Sequence, residues 1–438
     1  MAAQLIAGIS ILVILHELGH FWAARAFGIR VEKFYLFFDA WGKKLYSKKI
    51  GDTEWGIGWL PLGGYVKIAG MIDESMDKEQ MKLPAEPWEF RSKPAWQRLI
   101  VMVGGVVMNV VAGICIFAML TYTYGEHKTF NRSLKYGIVP SKLAEEVGFK
   151  RGDKLVSLNG NPIIYFEDAL STDVIMGNNT VYAIERDSEK LDIKLPPDFI
   201  RKYSESGKEK FFMPRITFYV GDLEPNNNAE KAGLKTNDRI IAIDTNTFQF
   251  FDNFQTLLKK YSDLTPQFTV LRSTDTVRLP IHVNKGGTIG FVPETENLEY
   301  DSVKYGFFQS FPSGIKKAVE TISLQIKGWG KIFHGDIAVN KSLQGPIGIA
   351  KFYGGEWIWW RFWTFTALIS LGLAFMNILP IPALDGGHVV LLLIEMIIGR
   401  PLSDKWLERI QTIGMVILLT LMVLIFGNDI WQLIFNKQ

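Results

Sequence analysis

A chain of 438 residues is long for one ordinary domain, and its mix of 48% hydrophobic with 21% charged residues, at a mean hydropathy of +0.10, describes greasy and polar parts joined together. The net charge of +3 leaves no electrostatic footprint for nucleic acid. Cys115 is the sole cysteine, which excludes an internal disulfide and a cysteine-rich metal site, so a metal would have to be held by His, Asp or Glu.

The first predicted element is an apolar helix over residues 4–24, long enough to cross a bilayer. Without a basic stretch ahead of it or a small-residue cleavage site, it reads as a retained span rather than a removable signal. Inside it lies His16-Glu17-Leu18-Gly19-His20. On a helix, two histidines four residues apart project from one face and can share a zinc ion, with the intervening glutamate placed to take a proton from water activated there. Polar ligands at membrane depth are costly and are seldom left without a task. Arg25 and Arg30 close the helix, and Lys33, Lys43, Lys44, Lys48 and Lys49 follow, so the positive-inside rule puts this loop in the cytosol and the N-terminus outside. His20 precedes Arg25 by five residues, roughly 8 Å of helix, which places the motif near the cytosolic face.

Residues 53–70 alternate Gly and Pro with aromatic and β-branched residues and predict one or two hairpins, with an exposed strand edge beside the motif. Residues 71–98 are charged and proline-containing, the pattern of an amphipathic linker on the cytosolic surface. Residues 99–125 carry no charge and form a second predicted span, in which Gly104 and Gly105 permit close helix contact and Asn109 requires a polar partner or serves the site directly.

From residue 126 to about 305 the chain turns polar and strand-rich, with room for two small domains. A repeat supports that division: the block from Ala144 through Gly148 and Asp153 to Gly160 aligns without gaps on the block from Ala229 through Gly233 and Asp238 to Thr245. Both blocks resemble the core of PDZ domains, β-sandwiches that bind extended peptides along a sheet edge. Residues 307–333 form an amphipathic segment expected to lie along the outer membrane surface. Trp357, Trp359, Trp360 and Trp363 then mark entry to a third span, which reaches Asn377 and is broken by Pro380 and Pro382 before Asp385-Gly386-Gly387 opens a new apolar helix. Broken backbone at membrane depth is tolerated where it is buried in protein or lines a cavity, so the break is itself a site signal. Arg400, Lys405 and Arg409 form a second cytosolic loop, and residues 410–428 a fourth span. Four spans with both ends outside bring the histidine motif and the Asp385 break to the same side. His16, His20 and Asp385 would then leave a fourth zinc position open, as in catalytic sites, with Glu17 as general base.

These motifs, in this order, closely resemble the site-2 proteases, zinc intramembrane metalloproteases, in the bacterial branch of RseP type with tandem PDZ domains. The resemblance covers nearly the whole length and includes Pro61-Leu62-Gly63-Gly64-Tyr65-Val66-Lys67, Gly345-Pro346-Ile347-Gly348 and the stretch from Asn377 to Gly387. Where the family shows Gly-Pro-x-x-Asn, this chain reads Gly105-Val106-Val107-Met108-Asn109. The resemblance implies a polytopic α-helical membrane protein of the bacterial inner membrane, with four transmembrane helices, a membrane-associated β-hairpin region and two extracytoplasmic PDZ-like β-sandwiches. Its layout would be 1–28, 98–125, 357–399 and 410–435 for the spans, 29–97 and 400–409 for the cytosolic loops, 126–212 and 213–296 for the PDZ-like domains, and 297–356 for the amphipathic segment. Gly64, Tyr65, Val66 and Lys67 would pair with substrate, and Asn377, Pro382 and Asn109 would contact it. The implied activity is regulated intramembrane proteolysis of single-span proteins, such as anti-sigma factors or signal-peptide remnants, after a first protease has trimmed them. The PDZ-like domains would gate substrates by size. Two alternatives stand beside it: an idle PDZ scaffold, against which Glu17 argues because a scaffold needs no base, and a membrane-anchored metallopeptidase acting on soluble peptides.

Overall fold

The computed structural model describes residues 1–71, 84–171, 174, 176–177, 179–205, 210–224, 227–295, 298–336 and 345–435. Residues 72–83 of the expected linker, and 297 and 337–344 of the expected amphipathic segment, lie outside them. The chain divides into two compact units, Met1–Gly125 with Lys304–Gln438, and Glu126–Val303.

The first unit contains helix α1 (Ala2–Ala26), strands β1 (Val31–Phe38), β2 (Lys44–Ile50), β3 (Thr53–Gly58) and β4 (Leu60–Ile68), and helix α2 (Ala95–Tyr124). After the second unit come α3 (Phe307–Phe333), α4 (Pro346–Tyr353), α5 (Trp359–Ile378), α6 (Asp385–Ile398) and α7 (Asp404–Phe435). Helices α1, α2, α5 and the stretch Arg409–Asp429 of α7 are long and apolar enough to cross a membrane. They coincide with the four apolar segments read from the sequence.

Helices α1 and α2 meet backbone to backbone. A Cβ on Gly19 would overlap the Gly104 carbonyl, and one on Gly104 would press on the Gly19 carbonyl, so only glycine permits this approach. Helix α5 seats Leu371 on Gly113 of α2, and the Ser370 hydroxyl donates to the Asn109 carbonyl at 2.7 Å. Although the family's proline is replaced by Val106, α2 runs as one helix from Ala95 to Tyr124.

The region expected to form hairpins is a four-stranded mixed sheet in the order β2-β3-β1-β4. β3 pairs with β1 in parallel and β4 pairs with β1 antiparallel, so β3 and β4 are adjacent in sequence but separated by β1. The lysine-rich stretch after α1 hid two strands, because solvent-facing lysines on β2 mask its alternation. Among the described residues, β4 is an edge strand.

α3 has the expected bounds, and one of its faces packs on α2. Its small residues Ser310, Gly314 and Ala318 are buried, with Gly314 against Ile114 and Ala118 of α2, and Ala318 among Phe117, Leu120 and Leu371. Lys317 donates to the Thr121 hydroxyl at 2.9 Å. Small residues four apart make a helix-packing seam on this face, while Phe308, Ile315, Val319 and Ile326 of the same helix stay exposed. Near the chain end, the buried Asp429 carboxylate on α7 accepts from the backbone N–H groups of Gly345, Ile347 and Gly348 at 2.9–3.3 Å and caps α4.

The second unit duplicates one arrangement. Strands Glu189–Lys194, Val181–Arg186, Lys154–Leu158 and Asn161–Pro162 form a sheet in that order, matched by Asp275–Pro280, Gln267–Arg272, Arg239–Ile243 and Asn246–Thr247. Each copy adds a two-stranded sheet, Ile138–Pro140 with Phe212–Pro214 and Tyr219–Leu223 with Phe291–Glu294. The aligned Asp153 and Asp238, each 1% exposed, are held by Arg186 and Arg272 through two hydrogen bonds at 2.7–2.8 Å. Each arginine also donates to the carbonyl of the aligned glycine, Gly148 or Gly233, at 2.8 Å.

The glycine contact between α1 and α2 makes an opposed pair of predictions. Gly19→Ala should destabilise the protein by about 1–3 kcal/mol because backbone must move. Gly330→Ala, where a Cβ meets nothing within 4 Å, should stabilise α3 by about 0.5–1 kcal/mol. Thermal unfolding of the detergent-solubilised chain measures both, and equal shifts would refute the packing argument.

Candidate metal centre

His16 and His20 face inward from α1, and Asp385 is the first residue of α6. Pro380 and Pro382 stop α5 from continuing, and Ala383 turns the chain at φ 76°, a conformation that L-residues avoid. A Cβ on Gly386 would overlap the backbone at Ile378 and Leu379, and one on Gly387 would overlap Ile381, so the two glycines let the broken segment fold onto the start of α6. That fold-back aims Asp385 at the histidines.

Among the described residues, these three side chains form a group able to hold a metal ion. His16 Nε2 lies 3.2 Å from His20 Nε2 and 3.3 Å from Asp385 Oδ2, and His20 Nε2 lies 3.4 Å from the same oxygen. A tetrahedral ion with bonds of about 2.0–2.1 Å spaces its ligands by about 3.3–3.4 Å, so the triangle fits. Asp385 Oδ2 is buried with no hydrogen-bond partner, as a cation ligand would be.

The surrounding groups fix the imidazoles. His20 Nδ1 donates to the Val101 carbonyl at 2.8 Å, which leaves Nε2 as the ligand atom. His16 Nδ1 lies 3.1 Å from the Asn109 side-chain nitrogen, while Asn109 Oδ1 is buried and unsatisfied. With the amide turned so that Oδ1 faces the ring, Asn109 accepts from His16 Nδ1–H, again freeing Nε2. Gly105 belongs to the same shell, since a Cβ there would run into both imidazoles.

The three side chains open onto a cavity of about 600 Å³ that Glu17 and Asn377 also line, with Gly64, Tyr65, Val66 and Lys67 of β4 along one wall. Among the described residues β4 pairs with β1 alone, and its Val66 lines the cavity together with Glu17. The Asn377 amide lies 3.3 Å from His16 Nε2. Two further residues expected to touch substrate are not among those lining the cavity: Asn109 is fully buried against His16, and the Pro382 backbone packs on Gly414 of α7. Sequence reading passed over Lys33 and Asp39, which line the cavity and sit in the lysine-rich stretch. Burial alone would raise the Asp39 carboxyl, but hydrogen bonds from Lys33 and Tyr65 hold it below the ordinary carboxylate value.

Residues 4–421 match the model of peptidase family M50. The chain belongs to this family, that of the site-2 proteases. The M50 chain is 31% identical to the regulator of sigma-E protease RseP of Escherichia coli and 30% identical to the regulator of sigma E protease of Haemophilus influenzae. It is 29% identical to a Neisseria meningitidis protein that carries a zinc-metalloprotease name. Each alignment covers 98% of both chains.

The shell around His16 is testable without a turnover assay. Asn109→Ala should lower metal affinity by about 10–100-fold while leaving the protein folded. Metal titration of the purified apoprotein reads this, and unchanged affinity would remove Asn109 from the centre.

Proposed function

We propose that the chain is a zinc-dependent intramembrane endopeptidase of regulated intramembrane proteolysis, with His16, His20 and Asp385 as the zinc ligands and Glu17 as the general base. The observation that carries this reading is the triangle of three ligand atoms 3.2–3.4 Å apart, beside Glu17 and an unpaired strand edge in one cavity. Bound zinc supplies a Lewis acid that polarises the scissile carbonyl and acidifies water. Glu17 takes the proton from the attacking water and delivers it to the leaving amide nitrogen.

The substrate class follows from the surroundings. A transmembrane helix keeps its amides bonded internally and must unwind before cleavage. The β4 edge at Gly64, Tyr65, Val66 and Lys67 offers partners to the freed amides by strand addition, and Asn377 adds a side-chain contact from the opposite side. The substrates are single-span membrane proteins of the anti-sigma-factor or signal-peptide-remnant kind, trimmed by a first protease. The relatives named as regulators of sigma-E support that class.

The four apolar helices span the inner membrane with both termini and the duplicated unit outside, and the two copies in that unit are PDZ-like domains. They act as a gate that excludes large outer domains, in preference to a tether, because peptide affinities in such grooves are modest.

Glu17→Gln should retain one zinc per chain and lose about 10²–10⁴-fold in turnover of a transmembrane reporter, whereas His20→Ala should lose the metal. Equal zinc loss in both would contradict the assignment. A proline at Val66 removes one edge donor and should abolish cleavage with zinc intact. A soluble peptide cut as fast as the transmembrane reporter would favour the soluble-peptide reading.

The gate has its own test. Deleting residues 132–292 should permit cleavage of untrimmed substrate while trimmed substrate is still cut. Cleavage of trimmed substrate only would refute gating, and cleavage of neither would make the domains a delivery device.

A further inference from the structure

The wall of the cavity holds a polar relay that the proposed chemistry does not use. Tyr65 precedes Val66 on β4, and its ring is stacked between Tyr35, at 5.6 Å and 17°, and Phe38, at 6.0 Å and 5°. Its hydroxyl donates to Asp39 Oδ1 at 2.8 Å, and the other Asp39 oxygen takes the Lys33 ammonium at 3.0 Å. Lys33, Phe38, Asp39 and Tyr65 all line the same cavity as Glu17.

The backbone around Asp39 is held in an unusual shape. Phe37 and Trp41 have φ of 66° and 57°, values that bulky L-residues rarely adopt and that persist only where surrounding contacts over-determine them. The β1–β4 pairing shifts register between Leu36 and Phe38. The extra residues of this irregularity lie on β4, where Leu60 pairs with Phe38; the Phe38 ring covers that of Tyr65, and Asp39, just past the end of β1, meets its hydroxyl.

We infer that Asp39 is a positioning residue for cleavage: through the Tyr65 hydroxyl it locks the β4 edge at the spacing from Glu17 that a substrate strand requires. This rests on the proposal that β4 pairs with substrate. A substrate strand bonded to β4 takes its distance from the zinc ligands from wherever β4 sits. Among the described residues β4 is paired with a strand on one side only, so the stack and hydrogen bond at Tyr65 hold the edge proposed to receive substrate. The stack and the Asp39 hydrogen bond hold the residue next to the contact point in two directions. Because substrate is bound by this edge before and during cleavage, loosening it weakens binding more than the chemical step.

The same sheet contains an internal control. Tyr35 donates to Glu54 at 2.8 Å and Glu54 takes Lys44 at 2.6 Å, the same tyrosine, carboxylate and lysine chemistry, but Glu54 and Lys44 do not line the cavity. A purely structural role of these relays would make the two carboxylates equivalent.

The test uses the full chain in nanodiscs with a fluorogenic transmembrane reporter, reading KM, kcat and zinc content. Asp39→Ala and Tyr65→Phe should raise KM by about tenfold, with kcat within about twofold and zinc unchanged. Asp39→Asn, whose oxygen still accepts from Tyr65, should restore KM to within about threefold of the parent, and Glu54→Ala should stay in that range. Unchanged KM in Asp39→Ala and Tyr65→Phe would overturn the inference, as would a KM rise in Glu54→Ala equal to that in Asp39→Ala. If Asp39→Ala does not insert or bind zinc, Tyr65→Phe, which removes a single oxygen, decides. Normal cleavage by Val66→Pro would sink the strand-pairing reading itself. Abolished cleavage by Val66→Pro with normal kinetics for both Asp39→Ala and Tyr65→Phe would sink only the role of Asp39.

Discussion

The site depends on one contact, the backbone approach of α1 to α2 at Gly19, Gly104 and Gly105. At an ordinary interhelix distance, side chains would fill the gap and the imidazoles of His16 and His20 would have no space on the α2 side. With glycine on both helices, the Val101 carbonyl comes within 2.8 Å of His20 and Asn109 within 3.1 Å of His16. A polar centre in an apolar setting then has every far nitrogen bonded, which is the condition for burying such groups at acceptable cost. The same helix receives α5 at Gly113 and α3 at Ala118, so α2 is the element on which the membrane-facing unit is assembled.

The second requirement is an aspartate arriving from a distant part of the chain. The proline break after α5 and the glycine pair at the start of α6 supply it, and each residue type there answers a steric need: no amide where the helix must stop, no Cβ where the backbone folds back. The third requirement is a strand edge. A mixed sheet inserted in sequence between α1 and α2 has β4 at its edge among the described residues, and β4 lines the cavity onto which His16, His20 and Asp385 converge. Left open elsewhere, such an edge is an aggregation hazard; within a cavity it is a means of holding an extended chain.

The duplicated unit shows how much a short aligned block can specify. The aspartates of the two blocks are both almost fully buried and both bound by an arginine from a strand outside the block, which also ties down the carbonyl of the block's glycine. The ion pair thus joins a turn to a neighbouring strand in each copy, although Arg186 and Arg272 carry no local signal of that role.

What the sequence determined by itself is what local chemistry and hydropathy encode. Helical spacing places His16 and His20 on one face; apolar length marks four membrane-crossing candidates; Pro380 and Pro382 announce a break; and the repeat announces a duplication. Pairing and facing were decided by tertiary structure. Lys44 to Ile50 reads as a charged loop because its side chains meet water whether or not its backbone is paired, and β1 enters between β3 and β4 because long-range hydrogen bonds leave no local trace. The periodicity of α3 does not say which face meets α2, and the fit of Gly314 to Ile114 and Ala118 shows that its small residues do. The partners of Asn109 and Asp39 were not legible for the same reason: a residue's partners depend on which remote group is carried to within about 3 Å, and one-dimensional order does not contain that distance.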